Sequence, residues 1–201
     1  MEKIGIMGGT FNPIHYGHLI AAEWAKIEHQ LDIVIFVPAA NPPHKDMAKV
    51  LNKEDRYNMV ERAIASNQNF TISNFEMQRE GKSFTVDTLE YFKKIYPKSD
   101  LYFIIGYDAF LDLHTWKNFE KLFDLSTFIV ATRTGYTQKQ SWPRHSHLPK
   151  TILDKIKFFE IPEVGISSSD IRQRVRQNKS IKYLVPEAVE KYIFTNNIYG
   201  G

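Results

Sequence analysis

The sequence predicts an α/β fold, in which a doubly wound parallel sheet is followed by a small helical C-terminal appendage. Short, continuous apolar runs recur along the chain, which is typical of strands that are covered on both faces of a sheet. Amphipathic stretches with helical spacing lie between these runs, so that strand and helix alternate. No internal repeat and no linker interrupts the alternation, and we therefore predict a single domain over residues 1–201.

The first half of the chain contains a complete strand–helix–strand unit. Residues 3–7 are an apolar run that ends at a glycine-rich turn, and residues 32–37 are a second predicted strand. The predicted apolar face of the helix between them consists of Ile20, Trp24, Ile27 and Leu31. Such a unit implies two parallel strands joined by a right-handed crossover. A proline-rich loop, a helix capped by Asn52 and a mixed-polarity edge strand at residues 69–75 follow.

The second half repeats the alternation and ends in helices. Ser83 or Thr85 can cap a helix that precedes the next strand. The predicted strands of this half are residues 101–105, 127–131 and 157–161, and the predicted helices are residues 110–122, 167–177 and 186–196. Residues 132–150 are rich in polar residues and proline, which predicts a mobile loop. The complete pattern is that of a Rossmann-like fold.

Composition limits the classes of function that the chain can have. The absence of cysteine excludes disulfides, thiolate metal sites and a cysteine nucleophile. No stretch approaches the roughly 18 apolar residues of a membrane span, and the N-terminus lacks a signal-peptide pattern. We therefore expect a cytoplasmic protein with no membrane partner. The net charge is only +3 and the cations are dispersed, which favours small anionic ligands over nucleic acid.

The predicted site begins in residues 1–18, where a strand, a glycine-rich turn and a helix start follow one another. Gly8 and Gly9 allow backbone N–H groups to approach an oxyanion, and a helix N-terminus attracts negative charge. The segment lacks the Gly-Lys-Ser/Thr of a Walker A loop and the Gly-x-Gly-x-x-Gly of dinucleotide-binding proteins. The pattern therefore predicts a phosphate site of another kind, and hydride transfer is disfavoured.

Two histidines stand at the predicted helix start. His15 and His18 could bind a metal, cap a turn or donate hydrogen bonds to phosphate. A metal pair needs a third ligand, and His44 is the other histidine in a plausible loop. A simple cap gains nothing from Gly17, which we expect to leave room for a ligand. We therefore predict that the pair stabilises charge in phosphoryl or nucleotidyl transfer.

A second predicted anion site lies near the C-terminus. Serines precede a predicted helix whose first turn is expected to contain Arg172. A cation in a first turn is unfavourable by about 0.3–1 kcal/mol, so a bound phosphate explains it better than serine capping alone. Lys45, at the end of the proline-rich loop, is a third candidate for phosphate binding.

Two segments resemble the signatures of the HxGH nucleotidyltransferase superfamily. His15-Tyr16-Gly17-His18 resembles the first signature, and residues 166–172 resemble the second, I-S-S-[ST]-x-I-R. Further similarity to the bacterial nicotinate-nucleotide adenylyltransferase family is found at residues 42–45, 83–89, 105–108, 116 and 185–189. The first signature alone would indicate the superfamily. The combined set, in order over nearly the whole chain, is specific for the family.

The resemblance implies that ATP and nicotinate mononucleotide react to give deamido-NAD and pyrophosphate, a step of NAD biosynthesis, by in-line attack without a covalent enzyme intermediate. The implied catalytic residues are His15, His18, Lys45 and Arg172. The implied ATP site consists of Gly8, Gly9, Thr10, Phe11, His15, His18, Gly106, Asp108, Ile166, Ser167, Ser168 and Arg172. The implied nicotinate mononucleotide site consists of Thr10, Lys45, Thr85 and Trp116.

The remaining implications concern the assembly of the site. Residues 165–201 would complete the ATP site, and Mg²⁺ is expected on the ATP phosphates, held by phosphate and water rather than by protein carboxylates. Trp116 could instead pack in the core, and Asp108 could be a plain helix N-cap. A homodimer is left open by the sequence.

Other functions compete with this interpretation. Related superfamily members act on nicotinamide mononucleotide, phosphopantetheine or glycerol phosphate, and our preference for the acid over the amide rests on the family resemblance. A nucleotide sensor without turnover is disfavoured because His15, His18 and Arg172 are all present. An RNA-binding module would need a basic stripe with exposed aromatic residues, which the sequence lacks.

Overall fold

Six parallel strands form one sheet in the computed structural model, which describes residues 1–133 and 149–200. In chain order they are β1 (Lys3–Gly9), β2 (Ile33–Pro38), β3 (Phe70–Ile72), β4 (Asp100–Gly106), β5 (Thr127–Arg133) and β6 (Ile156–Ile161). Across the sheet their order is β3-β2-β1-β4-β5-β6, with parallel pairing throughout. The winding direction reverses between β1 and β4, which makes this the topological switch point of the sheet.

Helices connect the strands. In the described ranges they are α1 (Tyr16–His29), α2 (Lys53–Ile64), α3 (Thr85–Ile95), α4 (Tyr107–Leu111), α5 (Phe119–Leu125), α6 (Lys150–Leu153), α7 (Ser168–Arg176) and α8 (Glu187–Thr195). Short 3₁₀ turns occur at Met47–Lys49, Glu76–Gln78 and Leu113–Thr115. Within the part of the chain that the structure describes, no helix is long and apolar enough to cross a membrane.

The hydrophobic core has two halves, one on each face of the sheet. Val34 and Ile104 join the cluster that contains α1, α2, α7 and α8. Their chain neighbours Ile35 and Ile105 join the cluster that contains α3 to α6. Alternate strand residues thus enter opposite clusters, because successive side chains of a strand point to opposite faces. The predicted doubly wound, Rossmann-like sheet is confirmed.

The apolar face predicted for α1 is right for Leu31, which is 3% exposed, but wrong for Trp24 and Ile27. Trp24 is 37% exposed and Ile27 is 60% exposed, whereas Ala21, Ala22 and Ala25 are buried. Small side chains on the inner face allow the helix backbone to lie close to the sheet, so the larger residues of this helix are left near its outer side. Helical spacing predicted the helix correctly but misplaced part of its buried face.

The structure confirms one predicted helix cap, does not confirm another, and divides one predicted helix. Asn52 caps α2 as predicted, because its side chain accepts the N–H of Asp55. Neither Ser83 nor Thr85 caps α3, whose cap position is Phe84. The hydroxyl of Ser83 instead accepts a hydrogen bond from a distant backbone N–H, at residue 41. The predicted helix at residues 110–122 is divided into α4, a 3₁₀ turn and α5.

The edge strand is confirmed, but β3 contains only three residues and is shorter than predicted. Residues 134–148 of the predicted mobile loop lie outside the described residues. The two predicted C-terminal helices are present as α7 and α8. The sheet ends and these two helices position the site described next.

Candidate active site

A cavity of about 650 Å³ opens at the carboxyl ends of β1 and β4. Gly8 and Gly9 of β1 line it on one side, and Ile105 and Gly106 of β4 line it on the other. The strand order reverses between these two strands, and ligands of open α/β sheets bind in the crevice at such a point. Its position therefore identifies the cavity as the candidate active site.

The cavity brings together most of the residues that the sequence suggested. Its walls include Gly8, Gly9, Thr10, His15, His18, Lys45, Thr85, Gly106, Asp108, Trp116 and Ile166. Four candidates, namely Phe11, Ser167, Ser168 and Arg172, are not among the lining residues. Phe11 is only 2% exposed, and its ring lies edge-on to His18 with the ring centroids 5.1 Å apart. This buried ring packs against the glycine-rich turn, beside Gly9.

The two histidines stand at the start of α1. His15 occupies the N-cap position, and its backbone N–H donates a hydrogen bond of 3.3 Å to Nδ1 of His18. The two ring centroids are 3.8 Å apart. Because Nδ1 of His18 accepts this bond, the neutral ring carries its proton on Nε2. His18 therefore has an Nε2–H group as a hydrogen-bond donor.

Burial keeps both imidazoles neutral at pH 7. It lowers the pKa of His15 to about 4, and burial together with the neighbouring His15 lowers the pKa of His18 well below its usual value. The N-terminal dipole of α1 acts in the same direction. A bound polyphosphate would oppose these effects, because a nearby anion favours the protonated ring. The pair is thus neutral in the free protein and sensitive to anionic ligands.

Two glycines of the opening segment are required by adjacent rings. A Cβ atom at Gly9 would lie 2.8 Å from the ring of Phe11, and one at Gly17 would lie 3.0 Å from the ring of His15. Contacts this short do not fit a side chain. Gly17, which we expected to leave room for a ligand, lines the cavity and also lies against the His15 ring.

A second part of the cavity wall, the tryptophan end, is formed by α3 and the segment around α4. Thr85 is the first residue of α3, and Trp116 is partly buried and edge-on to Phe103, with centroids 6.2 Å apart. Trp116 thus contacts the core and also lines the cavity. The alternative that Asp108 is an N-cap is wrong, since Gly106 occupies that position of α4. Asp108 is exposed at the cavity wall.

A buried carboxyl group near this end was not suggested by the sequence. Glu76 is 6% exposed and accepts a 2.5 Å hydrogen bond from the Thr88 hydroxyl, while its Oε2 finds no hydrogen-bond partner among the described residues. Burial raises the pKa of Glu76 against the opposing effect of that bond. Lys45 lies exposed at the same cavity. A glutamate in a polar segment carries no local signal of burial.

The start of α7 is bonded to the opening loop. Ser167 caps the helix, and the Ser168 hydroxyl donates a 2.8 Å hydrogen bond to the carbonyl of Pro13. Arg172 donates a 2.7 Å bond to the carbonyl of Asn12. Arg172 lies in the second turn, not in the first as predicted, because the helix begins at Ser168. The two predicted anion sites are therefore adjacent in space.

The opening loop is also held by hydrogen bonds to buried side chains that the sequence did not indicate. The side chain of Asn12 is 6% exposed, and its Oδ1 accepts hydrogen bonds from the Tyr199 hydroxyl and the Leu51 N–H. Its Nδ2 donates to the carbonyl of Lys49. Arg56 of α2 is fully buried and donates to the carbonyl of Thr10. Their partners are distant in sequence, so no local pattern could reveal them.

Several known proteins are similar in sequence to this chain over nearly its whole length. The Cytidylyltransferase-like family model matches residues 6–174. The "Probable nicotinate-nucleotide adenylyltransferase" of Desulfitobacterium hafniense is 46% identical over 98% of this chain and 96% of its own. The chain belongs to the nicotinate-nucleotide adenylyltransferase family. The relative of the same description from Moorella thermoacetica is 48% identical over 98% of this chain and 91% of its own.

Solved structures agree with the fold. Plasmodium falciparum nicotinic acid mononucleotide adenylyltransferase complexed with APC has a TM-score of 0.75 at 22% identity, and covers 99% of this chain and 98% of that one. The same protein complexed with NaAD has a TM-score of 0.75 at 23% identity, with equal coverage. Membership of the family confirms the predicted resemblance, and the chain is a nucleotidyltransferase.

Proposed function

We propose that this protein joins ATP and nicotinate mononucleotide to give deamido-NAD and pyrophosphate, a step of NAD biosynthesis. A phosphate oxygen of the mononucleotide attacks the α-phosphorus of ATP in line. The bond from that phosphorus to the bridging oxygen of the β-phosphate breaks, and pyrophosphate leaves. The attacking phosphate is ionised at neutral pH, so the reaction needs no general base and no covalent intermediate. Catalysis then consists of positioning and charge stabilisation.

One observation carries this proposal. The cavity of about 650 Å³ joins a histidine pair at a helix N-terminus to a tryptophan and a second helix start at its other end. A polyphosphate suits the first end, because helix N–H groups and neutral imidazole N–H groups both donate to anions. A flat aromatic ring suits the second end, where indole is a stacking surface. The pair of substrates thus matches the two ends of the cavity.

We assign ATP to the histidine end. His18 contacts the α-phosphoryl group through Nε2–H, and His15 lies beside it. Gly8, Gly9 and Thr10 present backbone to the nucleotide, Phe11 supports them, and Ile166 borders the nucleotide. From the histidine end, ATP extends to the segment around α4, where Gly106 and Asp108 bind the ribose. Support comes from the lining residues and from the 3.3 Å bond that leaves Nε2–H of His18 as donor.

We assign the β- and γ-phosphates to Ser167, Ser168 and Arg172. Support comes from the bonds of Ser168 and Arg172 to the carbonyls of residues 13 and 12, which join α7 to the segment that precedes His15. Because the Ser168 hydroxyl gives its single proton to Pro13, Ser168 offers phosphate its backbone N–H at the start of α7. A guanidinium has five N–H donors, so Arg172 can hold Asn12 and still bind phosphate. Residues 165–201 thereby complete the ATP site within a single domain of residues 1–201.

We assign nicotinate mononucleotide to the other end. Its ring stacks on Trp116, its carboxylate approaches the start of α3 at Thr85, and its phosphate lies near Thr10 and Lys45. The partly buried indole at the cavity wall and the helix start at Thr85 support this placement. Helix N-termini favour a carboxylate over a neutral amide, which gives a physical basis for the acid.

Mg²⁺ belongs to this proposal as a partner of ATP. It would neutralise charge on the phosphates, and it prefers oxygen ligands with several retained waters. Phosphate oxygens and water fit that preference. The cavity wall contains histidine, lysine and glycine residues together with the carboxyl groups of Glu76 and Asp108. A cytoplasmic location and a homodimer stay predictions.

The test is a steady-state assay with ATP, Mg²⁺ and either nicotinate or nicotinamide mononucleotide, with separation of the dinucleotide product. We expect kcat/KM to favour the acid. A tenfold or greater preference for the amide would overturn the assigned substrate. If neither mononucleotide gave a dinucleotide product, the proposed activity would be overturned. Phosphopantetheine and glycerol phosphate serve as control acceptors, for which we expect no turnover.

A further inference from the structure

Arg56 is a buried cation that lies behind the cavity rather than in it. Its side chain, on α2, is 0% exposed, and it is not among the residues that line the cavity. No carboxylate in the described ranges forms an ion pair with it. A buried charge without a counter-ion is costly unless hydrogen bonds replace its lost hydration. The acceptors of those bonds are therefore informative.

Within residues 1–133 and 149–200, every hydrogen bond that the Arg56 side chain donates goes to a backbone carbonyl. Nη1 donates to Thr10 at 2.8 Å and to Ala39 at 2.5 Å, and Nη2 donates to Ala40 at 3.0 Å. Nε donates to Leu51 at 2.9 Å. These carbonyls belong to three segments, namely the turn that follows β1, the loop that follows β2 and the residues just before α2. One planar group thus fixes the relative position of three segments.

The same bonds extend to the tryptophan end of the cavity. Ala40 precedes Asn41, whose N–H donates to the Ser83 hydroxyl at 3.2 Å and whose carbonyl accepts the Ser83 N–H at 2.9 Å. Ser83 lies two residues before Thr85, the start of α3. The segment held by Arg56 is therefore bonded directly to the segment that leads to the proposed nicotinate site.

We propose that Arg56 is a positioning residue for adenylyl transfer, which sets the separation between the glycine-rich turn that ends at Thr10 and the loop that follows Ala40 and contains Lys45. This inference rests on the proposed function. In-line transfer between two bound anions depends on their separation, and a misplacement of about 1 Å can cost roughly a hundredfold in rate. A guanidinium suits this task, because its rigid fork reaches several acceptors at once.

A lysine at this position tests the geometry separately from the charge. Arg56→Lys keeps the cation but cannot reach carbonyls on three segments, and Arg56→Met removes the charge. We expect kcat to fall about a hundredfold in both, while KM for each substrate changes less than about threefold, because Arg56 contacts neither substrate. Arg62→Lys is the matched control, since Arg62 is exposed on the same helix and does not line the cavity; its described contacts are with the Asn58 carbonyl and the Tyr192 ring. We expect wild-type kcat there.

Steady-state kinetics is combined with circular dichroism and cooperative melting of each full-length variant. A kcat of Arg56→Lys within about threefold of wild type overturns the inference. A loss of turnover that only matches the unfolded fraction, or failure of both Arg56 variants to fold, assigns the residue to stability and also overturns it. Failure of the proposed function is separately visible, because the wild-type chain itself would then give no product, and the inference would fall with it.

Discussion

The histidine pair should make the stability of the free protein depend on pH. His15 is 7% exposed, and burial lowers its pKa to about 4 from the ordinary value of 6.5. The unfolded chain therefore binds a proton more readily than the folded chain between these two pH values. Stability is fully present above pH 6.5 and is lost as the pH falls towards the folded pKa. His15→Asn removes this group and keeps a residue that is favourable at a helix N-cap.

The size of the effect follows from the two pKa values. Between pH 7.5 and pH 5, a group that titrates at 6.5 when unfolded and at about 4 when folded lowers the free energy of unfolding by about 2 kcal/mol. The neighbouring His18 increases the dependence, because its pKa is also lowered by burial and by His15. Apart from His18, whose pKa depends on His15, the other titrating groups are common to both proteins and cancel in the difference.

Urea unfolding of wild type and His15→Asn at pH 7.5 and pH 5, without ligand, measures this difference. We expect wild type to lose about 2 kcal/mol more than the variant over that interval. Equal losses, within about 0.5 kcal/mol, would show that His15 is not titrating at a lowered pKa and would refute the reasoning. Saturating ATP should reduce the wild-type loss, since bound phosphate favours the protonated ring.

Three further predictions concern the proposed site. His18→Ala should lower kcat by about a hundredfold or more, because the His18 N–H donor acts on charge that develops in the transition state. ATP affinity, measured by calorimetry, should stay within about threefold of wild type. Unchanged turnover would exclude this role for His18. Arg172→Ala should weaken both ATP binding and turnover, and an effect confined to the melting temperature would instead make it structural. Trp116→Leu should raise KM for nicotinate mononucleotide, by a loss of about 1–3 kcal/mol of stacking, with KM for ATP unchanged. An unchanged KM for the mononucleotide would favour core packing.

Much of the fold was predictable because its signals are local. The apolar runs that became β1, β2, β4 and β5 are buried on both faces, and such strands need continuous apolar sequence. Helical spacing likewise located α1, but not its inner face, since Ala22 and Ala25 are buried and Trp24 is not. Which face turns inward depends on how closely a helix approaches the sheet, and that distance has no signature in the spacing.

The residues of the predicted site were recognisable because phosphate chemistry restricts residue types. Glycines, histidines and serines at helix starts are few and distinctive, and most of those selected line one cavity. Phe11 was selected with them but lies beneath the loop, because its ring fills the space beside Gly9. A sequence motif selects all of its residues together. Only the packing of the folded chain shows which of them face the cavity and which lie behind its wall.

The alternation of strands and helices, and the predicted phosphate-binding segments at residues 1–18 and 166–172, could be recognised from the sequence alone. Only the tertiary structure decided that these segments meet at the switch point between β1 and β4, and that Asn12, Arg56 and Tyr199 hold the loop from behind. The physical reason is that local patterns reflect the chemistry of neighbouring residues. Hydrogen bonds from side chains to distant carbonyls arise only when separate segments are packed together.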